Sequence, residues 1–216
     1  MAKNSKWQDE YWLLLLQLYL QKPTGIKPMY SKDMVDLSLE LHIAPQQLFN
    51  KMCQIANLET PRIEHIWEVY GQNPRKLKRA VSMLREMWGF NNALAFYEGV
   101  ELIESFEKEF KPIADDTTLT PMMLVLILDE YFRLTPLTMV PETPEVQELA
   151  KMMKLKPQEV ADVMEAFQHC DPYLNRKDTI EGSLADACKQ VWRRFGNGDP
   201  QELEQYAEQL KDYFIH

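Results

Sequence analysis

A run of basic side chains and a row of neutral polar side chains are the residues of this sequence best suited to binding chemistry. The run NPRKLKR places four cations close together, where they suit phosphate groups. The polar row follows Pro45 and offers amides that suit adenine edges, with one lysine that suits phosphate. We predict that these two groups form one interaction surface, here called the predicted surface. Its members are Gln46, Gln47, Asn50, Lys51, Gln54, Arg75, Lys76, Lys78 and Arg79.

Two further groups carry side chains that ligate metals in other settings. Four glutamates recur every third residue, namely Glu98, Glu101, Glu104 and Glu107. No loop rich in Asp, Asn and Gly accompanies them to supply the closely spaced oxygens of a calcium site, so a solvated acidic ridge is predicted. The adjacent residues His169, Cys170 and Asp171 would diverge at a helix end, and no His or Cys pair lies at zinc spacing elsewhere. We therefore predict no metal and no cofactor.

Motifs of catalysis give no support for an enzyme. The sequence has no phosphate-binding loop, no Gly-x-Ser-x-Gly elbow, no His-Glu-x-x-His and no dinucleotide fingerprint. General acid and base chemistry uses a His or a carboxylate held in a pocket, and the histidines show no pairing. We expect a protein that is not an enzyme, and an enzyme of unrecognised type is the third hypothesis.

The elements that would position these residues are helices. Five pairs put an N-cap side chain before a proline, which the first helical position tolerates: Thr60-Pro61, Asn73-Pro74, Thr120-Pro121, Thr143-Pro144 and Asp199-Pro200. Gly71 and Gly196 follow aromatic residues, where a left-handed helix end favours glycine. Helices are predicted at about 7–21, 32–42, 45–57, 61–70, 74–88, 121–133, 144–153, 157–168, 184–195 and 200–214. Residues 91–110 also have apolar side chains at helical spacing.

The chain contains two similar halves. The segment from Tyr19 to Ile55 aligns with Tyr131 to Phe167 without a gap, and apolar residues pair with apolar residues. Farther along, the alignment pairs Trp67 with Trp192, Gly71 with Gly196, Pro74 with Pro200 and Leu77 with Leu203. We predict an all-α fold made of two tandem, diverged copies of a roughly five-helix unit, which is an internal duplication. The predicted domains are 1–110, including a connecting helix, and 121–216, with residues 111–120 as the linker.

One segment of each copy resembles the helix-turn-helix unit of bacterial regulators. In residues 148–164 the resemblance lies in Ala150, a turn near Lys154, Leu155, Pro157 and Val160. Residues 36–52 have Ser38, His42, Ile43, Pro45 and Leu48 at the same places. His42 and Lys154 stand where this motif usually holds glycine, and a left-handed backbone costs such residues free energy.

The resemblance implies that the second helix of the unit lies in the major groove of DNA. In the second copy that helix would present Gln158, Glu159, Asp162 and Glu165, and its carboxylates would repel phosphates. The first copy presents the polar row of the predicted surface instead. A DNA-binding regulator that acts through the first copy is therefore the second hypothesis.

Charge and composition limit the classes of partner. The 216 residues carry a net charge of -9; residues 1–110 hold 13 basic and 14 acidic side chains, whereas residues 111–216 hold 11 and 19. The acidic second half disfavours nucleic acid and anionic membranes. The most apolar run, Leu13 to Leu16, is too short to span a bilayer, and the N-terminus does not resemble a secretion signal. The three cysteines form no Cys-x-x-Cys pair, so a reducing cytoplasm is the expected location.

Our first hypothesis is a protein-interaction or scaffold module. The cationic run is replaced in the second copy by Gln201, Glu202, Glu204 and Gln205, so the shared fold does not require it. Cations at the start of a helix also oppose the helix dipole. The expected partner is another protein, with nucleic acid as the alternative and no membrane.

Overall fold

The computed structural model describes residues 7–87, 90, 106–115, 117–174, 176 and 181–215. Within these residues the protein is all-helical and contains no strand, which confirms the predicted all-α class. The chain divides into two compact units, Met1–Ile103 (unit 1) and Glu104–His216 (unit 2). On this division the predicted linker, residues 111–120, belongs to unit 2.

The helix bounds lie close to those predicted from apolar spacing. Unit 1 contains α1 (Tyr11–Leu20), α2 (Lys32–Leu41), α3 (Pro45–Ala56), α4 (Pro61–Ile66) and α5 (Pro74–Glu86). Unit 2 contains α6 (Pro121–Arg133), α7 (Pro144–Met153), α8 (Pro157–Cys170), α9 (Ser183–Val191) and α10 (Pro200–Lys211). Short 3₁₀ segments occupy Phe106–Phe110 and Asp212–Phe214. Most of the predicted connecting helix, residues 91–105, lies outside the described residues.

Proline and its preceding side chain begin most of these helices. Four of the five predicted N-caps accept a hydrogen bond from a backbone N–H in the first turn: Thr60, Asn73, Thr120 and Asp199. Thr143 is also an N-cap residue, but its side chain does not cap the helix, because its hydroxyl donates to the carbonyl oxygen of Thr138 at 2.5 Å. Pro144 still begins α7, since its fixed φ already suits a helix.

A single apolar helix forms the centre of each unit. In unit 1, α1 buries Leu14, Leu15 and Leu16 and packs against α3 and α5. In unit 2, α6 buries residues 124–128 and packs against α8 and α10. None of the helices in the described ranges is long and apolar enough to cross a membrane.

A π-helical segment follows the fourth helix of each unit. The segments are Trp67–Gly71 after α4 and Trp192–Gly196 after α9. The left-handed backbone predicted for the two glycines was wrong, since neither has a positive φ. Space matters at these positions instead: a Cβ at Gly196 would lie 2.5 Å from the Trp192 indole, which is too close, whereas a Cβ at Gly71 would lie 3.2 Å from the Trp67 indole, which is only tight.

Two residues with a left-handed backbone lie at matching places, where the second and seventh helices end. His42 has φ 53° and ψ 35°, and Lys154 has φ 59° and ψ 35°. In both turns the next N–H donates back into the helix, from Ile43 to Ser38 at 3.1 Å and from Leu155 to Ala150 at 2.9 Å. This pattern ends a helix compactly and usually contains glycine at the left-handed position. The two turns therefore accept a backbone that costs a non-glycine residue about 1–2 kcal/mol.

We expect Lys154→Gly to raise the free energy of unfolding of unit 2 by about 1 kcal/mol. Lys154 is exposed, so the change relieves the left-handed strain without removing a buried contact. Urea unfolding measures this change. Lys154→Ala is the control, because it removes the charged side chain and keeps the Cβ. Equal stabilisation by both variants would contradict backbone strain as the cause.

Candidate interaction surface

The cationic run of the predicted surface lies on the first two turns of α5. Asn73 caps this helix and accepts a hydrogen bond from the N–H of Lys76 at 3.0 Å. Leu77, Val81 and Leu84 form its buried side. Because the cations occupy the other positions of the helix, Arg75, Lys76, Lys78 and Arg79 are all exposed.

Three of these cations have no partner among the described residues. Arg75, Lys78 and Arg79 form no ion pair or side-chain hydrogen bond within the described ranges, whereas the Lys76 ammonium lies 5.2 Å from the centre of the Tyr70 ring. Arg85, farther along α5, shows the contrast: it donates to both carboxylate oxygens of Glu40 at 2.7 and 2.8 Å. The first two turns of α5 thus present positive charge that this part of the chain does not neutralise.

The polar row of the predicted surface lies on α3. Gln46, Gln47 and Asn50 are exposed and Gln54 is half-buried, while Leu48, Met52 and Ile55 face the core. The Gln46 side-chain amide donates to Asn50 Oδ1 at 3.2 Å, one helical turn away. The row is therefore accessible, although two of its amides are already bonded to each other.

Lys51 has a structural environment that the sequence pattern did not suggest. It is half-buried, and its ammonium lies 5.4 Å from the Trp7 ring centre and 5.1 Å from the Trp12 ring centre. A cation over indole faces is attracted by the ring quadrupoles. In unit 2 the aligned position is Val163, which is fully buried against its own unit. Lys51 therefore lies on the side of α3 that is turned toward the core.

We expect Lys51→Ala to lower the free energy of unfolding of unit 1 by about 1 kcal/mol, because it removes two cation–π contacts and the packing of the lysine stem. Lys78→Ala, at an exposed site on α5, is expected to change stability by less than about 0.5 kcal/mol. Chemical denaturation of the two variants gives the comparison. Equal effects would show that the indole contacts contribute nothing.

The two parts of the predicted surface adjoin different ends of α1. Lys51 contacts Trp7 and Trp12, at and before the N-terminal end of this helix. The cations of α5 follow the π-helical segment, whose Trp67 packs edge-on against Tyr19 near the C-terminal end. Trp12 and Tyr19 are about 10 Å apart along the helix axis. Lys51 and the cations of α5 therefore adjoin opposite ends of α1.

Two exposed methionines lie beside the cations of α5, and the sequence pattern was not used to predict them. Met83 and Met87 are 59% and 61% exposed, the highest values among the large apolar side chains described in unit 1. Met83 lies one turn after Arg79 and off the buried row of Leu77, Val81 and Leu84. That position outside the apolar periodicity was the available signal, because an apolar residue on the polar side of a helix is unexpected.

Unit 1 contains a polar cleft of the kind in which an active site would lie if the chain were an enzyme. It has a volume of about 150 Å³ and is lined in part by Asp33, Asp36, Glu40 and Arg85. Burial raises the pKa of Asp36, Lys32 lowers it, and Asp33 raises it again. Both oxygens of Glu40 are already bonded to Arg85. The cleft thus offers one carboxyl that holds a proton more readily than usual, beside a closed ion pair.

The residues considered for metal binding have other contacts in unit 2. Asp171 accepts hydrogen bonds from the Tyr131 hydroxyl at 2.9 Å and from the N–H of Tyr173 at 2.8 Å. Burial raises the pKa of the Cys170 thiol, and the nearby Lys189 ammonium lowers it in part. Among the described residues no group of three or more His, Cys, Asp or Glu side chains could hold a metal ion. Of the predicted acidic ridge, only Glu107 lies within the described residues.

Comparison of the chain with models of known protein families, with curated proteins and with solved structures finds no match.

Proposed function

We propose that the chain is a non-enzymatic protein-interaction module that binds another protein through the first turns of α5 in unit 1. The observation that carries this proposal is the set of exposed cations, Arg75, Lys78 and Arg79, that have no ion-pair partner among the described residues. A charged group without an internal partner is free to pair with a group on another molecule.

Helix energetics supports a role for these cations outside folding. Positive charge in the first turn opposes the helix dipole, at about 0.3–1 kcal/mol for each residue. Arg75 and Arg79 are also one turn apart, where like charges repel by a few tenths of a kcal/mol. The aligned helix α10 has Gln201 and Gln205 at these positions and Glu202 in its first turn, which suits the dipole better. The cations of α5 therefore reduce helix stability, and a binding role explains why they are present.

The proposal includes an internal duplication, after which the charges of α5 and α10 came to differ. Several paired features support it: the left-handed residues His42 and Lys154, and the two π-helical segments that end in glycine. Each unit also has a Tyr–Trp ring contact at 5.9 Å, between Tyr19 and Trp67 and between Tyr131 and Trp192. In this interpretation one copy retained or acquired a cationic helix, and the other became acidic.

A DNA-binding regulator acting through unit 1 remains the alternative. Its support is the exposed polar row of α3, directly after the left-handed turn at His42. The contacts of Lys51 with two indoles weaken this alternative, because they occupy the one cation of that row. The predicted cytoplasmic location is retained as part of the proposal and suits either partner.

Site-specific cross-linking tests the proposed function. A photoreactive amino acid replaces Arg79 in one variant and the aligned Gln205 of α10 in another, and each full-length protein is irradiated in cells that express it. We expect a covalent adduct with another protein from position 79 and none from position 205. An adduct with nucleic acid at position 79, or no adduct at all, would overturn the proposal.

Fluorescence anisotropy with a mixed-sequence DNA duplex tests the alternative directly. Phosphate contacts make affinity fall steeply as salt rises. Salt-sensitive binding that disappears when Arg75, Lys76, Lys78 and Arg79 are replaced by Gln would favour the regulator. Absence of binding at low salt would remove DNA as a partner of this surface.

A further inference from the structure

We infer that α5 binds an acidic amphipathic helix of another protein, along a line of side chains formed by Arg75, Arg79, Met83 and Met87. This line is here called the α5 stripe. The inference rests on the proposed function and specifies the chemistry of the partner.

The spacing of the α5 stripe is that of a helix-packing ridge. Its members follow one another at four-residue intervals, with Met87 at the end of the helix. Side chains four residues apart form the ridges that fit into the grooves of a second helix. At 1.5 Å per residue the stripe is about 18 Å long, which matches three turns of a partner helix. It therefore has the geometry of one half of a helix–helix contact.

The chemistry of the stripe changes along its length. Its first half is cationic and has no ion-pair partner within the described residues, while its second half consists of two methionines that are 59% and 61% exposed. Methionine is flexible and polarizable, and it adapts to the shape of an apolar partner. A complementary surface must therefore supply carboxylates against Arg75 and Arg79 and apolar side chains against Met83 and Met87.

The fold does not require the residues of the stripe. In the alignment of α5 with α10, Arg75, Arg79 and Met83 correspond to Gln201, Gln205 and Gln209. These glutamines are exposed on a helix whose buried row, Leu203, Ala207 and Leu210, matches Leu77, Val81 and Leu84. The same packing is thus achieved with a neutral polar stripe in unit 2.

A peptide helix explains the stripe better than nucleic acid or a lipid surface. Phosphate backbones pair with the arginines but leave the two methionines without a contact. A lipid surface requires a broad apolar face, and Met83 is flanked by Ser82, whose hydroxyl donates to Glu86 at 3.0 Å. A narrow ridge with one cationic and one apolar half fits the groove of an acidic amphipathic helix.

The test measures binding of the full-length protein to a fluorescent peptide by anisotropy. The peptide is a helix of about 18 residues, long enough for appreciable helicity, with Glu at four-residue spacing in its first half and Leu at four-residue spacing in its second half. One control peptide has Ser in place of every Leu, and a second has Lys in place of every Glu. Duplex DNA and vesicles of phosphatidylcholine with phosphatidylserine are the competing probes.

Variants of the protein separate the two halves of the stripe. Arg75→Gln with Arg79→Gln should weaken peptide binding about tenfold at low salt and reduce its salt dependence. Met83→Gln should weaken binding about fivefold at every salt concentration, because it removes apolar contact area. Lys151→Gln with Lys156→Gln, at exposed sites of unit 2, changes the net charge equally and should leave affinity unchanged. Far-ultraviolet circular dichroism checks that each variant is folded.

The outcomes are distinct. Binding of the acidic peptide alone, with the expected losses in the stripe variants, supports the inference. Equal binding of the peptide that has Ser for Leu would overturn it, since only charge would then be recognised. No peptide binding up to about 1 mM, or binding of DNA or vesicles in its place, would also overturn it. A cross-linked protein partner at position 79 that lacks an acidic helix would retain the proposed function and overturn this inference alone.

Discussion

Gly196→Ala is expected to destabilise unit 2 by about 3 kcal/mol. A Cβ at this position would lie 2.5 Å from Cδ2 of Trp192 and 2.7 Å from its Cγ. These atoms belong to the base of a buried side chain, which packs against Tyr131, Phe132 and Phe167 and has little room to move. Overpacking a filled core typically costs about 1–3 kcal/mol, and a contact this short lies at the upper end.

Gly71→Ala is the matched control in unit 1. Its Cβ would lie 3.2 Å from the nearest atoms of Trp67, which is only half-buried, so the indole can move by a few tenths of an ångström. The gain of about 1 kcal/mol in helix propensity offsets the remaining cost, and we expect a net change below about 1 kcal/mol. Native-state hydrogen exchange of the α6 amides should show about a hundredfold loss of protection in Gly196→Ala. Equal effects of the two variants would contradict the role assigned to the close Trp192 contact.

Helix positions could be predicted from the sequence because their signals are local. Pro45, Pro61, Pro74, Pro121 and Pro200 each begin a helix, and the fixed φ of proline acts regardless of tertiary contacts. The buried row of α5 also follows directly from apolar spacing.

The backbone of the π-helical segments could not be predicted in the same way. Glycine after an aromatic residue is typical of a left-handed helix end, whereas here Gly71 and Gly196 make room for the indoles of Trp67 and Trp192. That requirement depends on where the indole lies in the folded unit, and a one-dimensional pattern does not contain this position. His42 shows the converse, since a left-handed turn forms there without glycine.

The residue types of the candidate surface could be predicted from the sequence, whereas the contacts that these residues make in the folded unit could not. Exposure of Arg75 and Arg79 follows from the apolar row on the opposite side of α5. The contacts of Lys51 with Trp7 and Trp12 join residues far apart in the sequence, so spacing alone could not predict them. The exposure of Met83 follows from its position off the buried row of α5, a signal that the sequence analysis did not use.

Phe167→Ala should lower the free energy of unfolding of unit 2 by about 4 kcal/mol, the largest effect expected for a single side chain here. Phe167 is fully buried on α8, and its ring centre lies 6.1 Å from that of Tyr131 and 6.2 Å from that of Trp192. Truncation removes the apolar contacts of the ring and leaves a cavity between three helices that cannot close completely.

Two comparisons separate the loss of packing from a general sensitivity of unit 2. Phe167→Ile introduces the residue aligned with it in unit 1, Ile55, which is buried at 2% exposure, and should cost about 1–2 kcal/mol because much of the volume is kept. Leu137→Ala removes a side chain that is 91% exposed and should change stability by less than about 0.5 kcal/mol. Denaturant unfolding should show the largest loss of stability for Phe167→Ala, a smaller loss for Phe167→Ile and the smallest for Leu137→Ala. If Phe167→Ile cost as much as Phe167→Ala, the aromatic contacts with Tyr131 and Trp192, rather than filled volume, would be the main source of stability at this site.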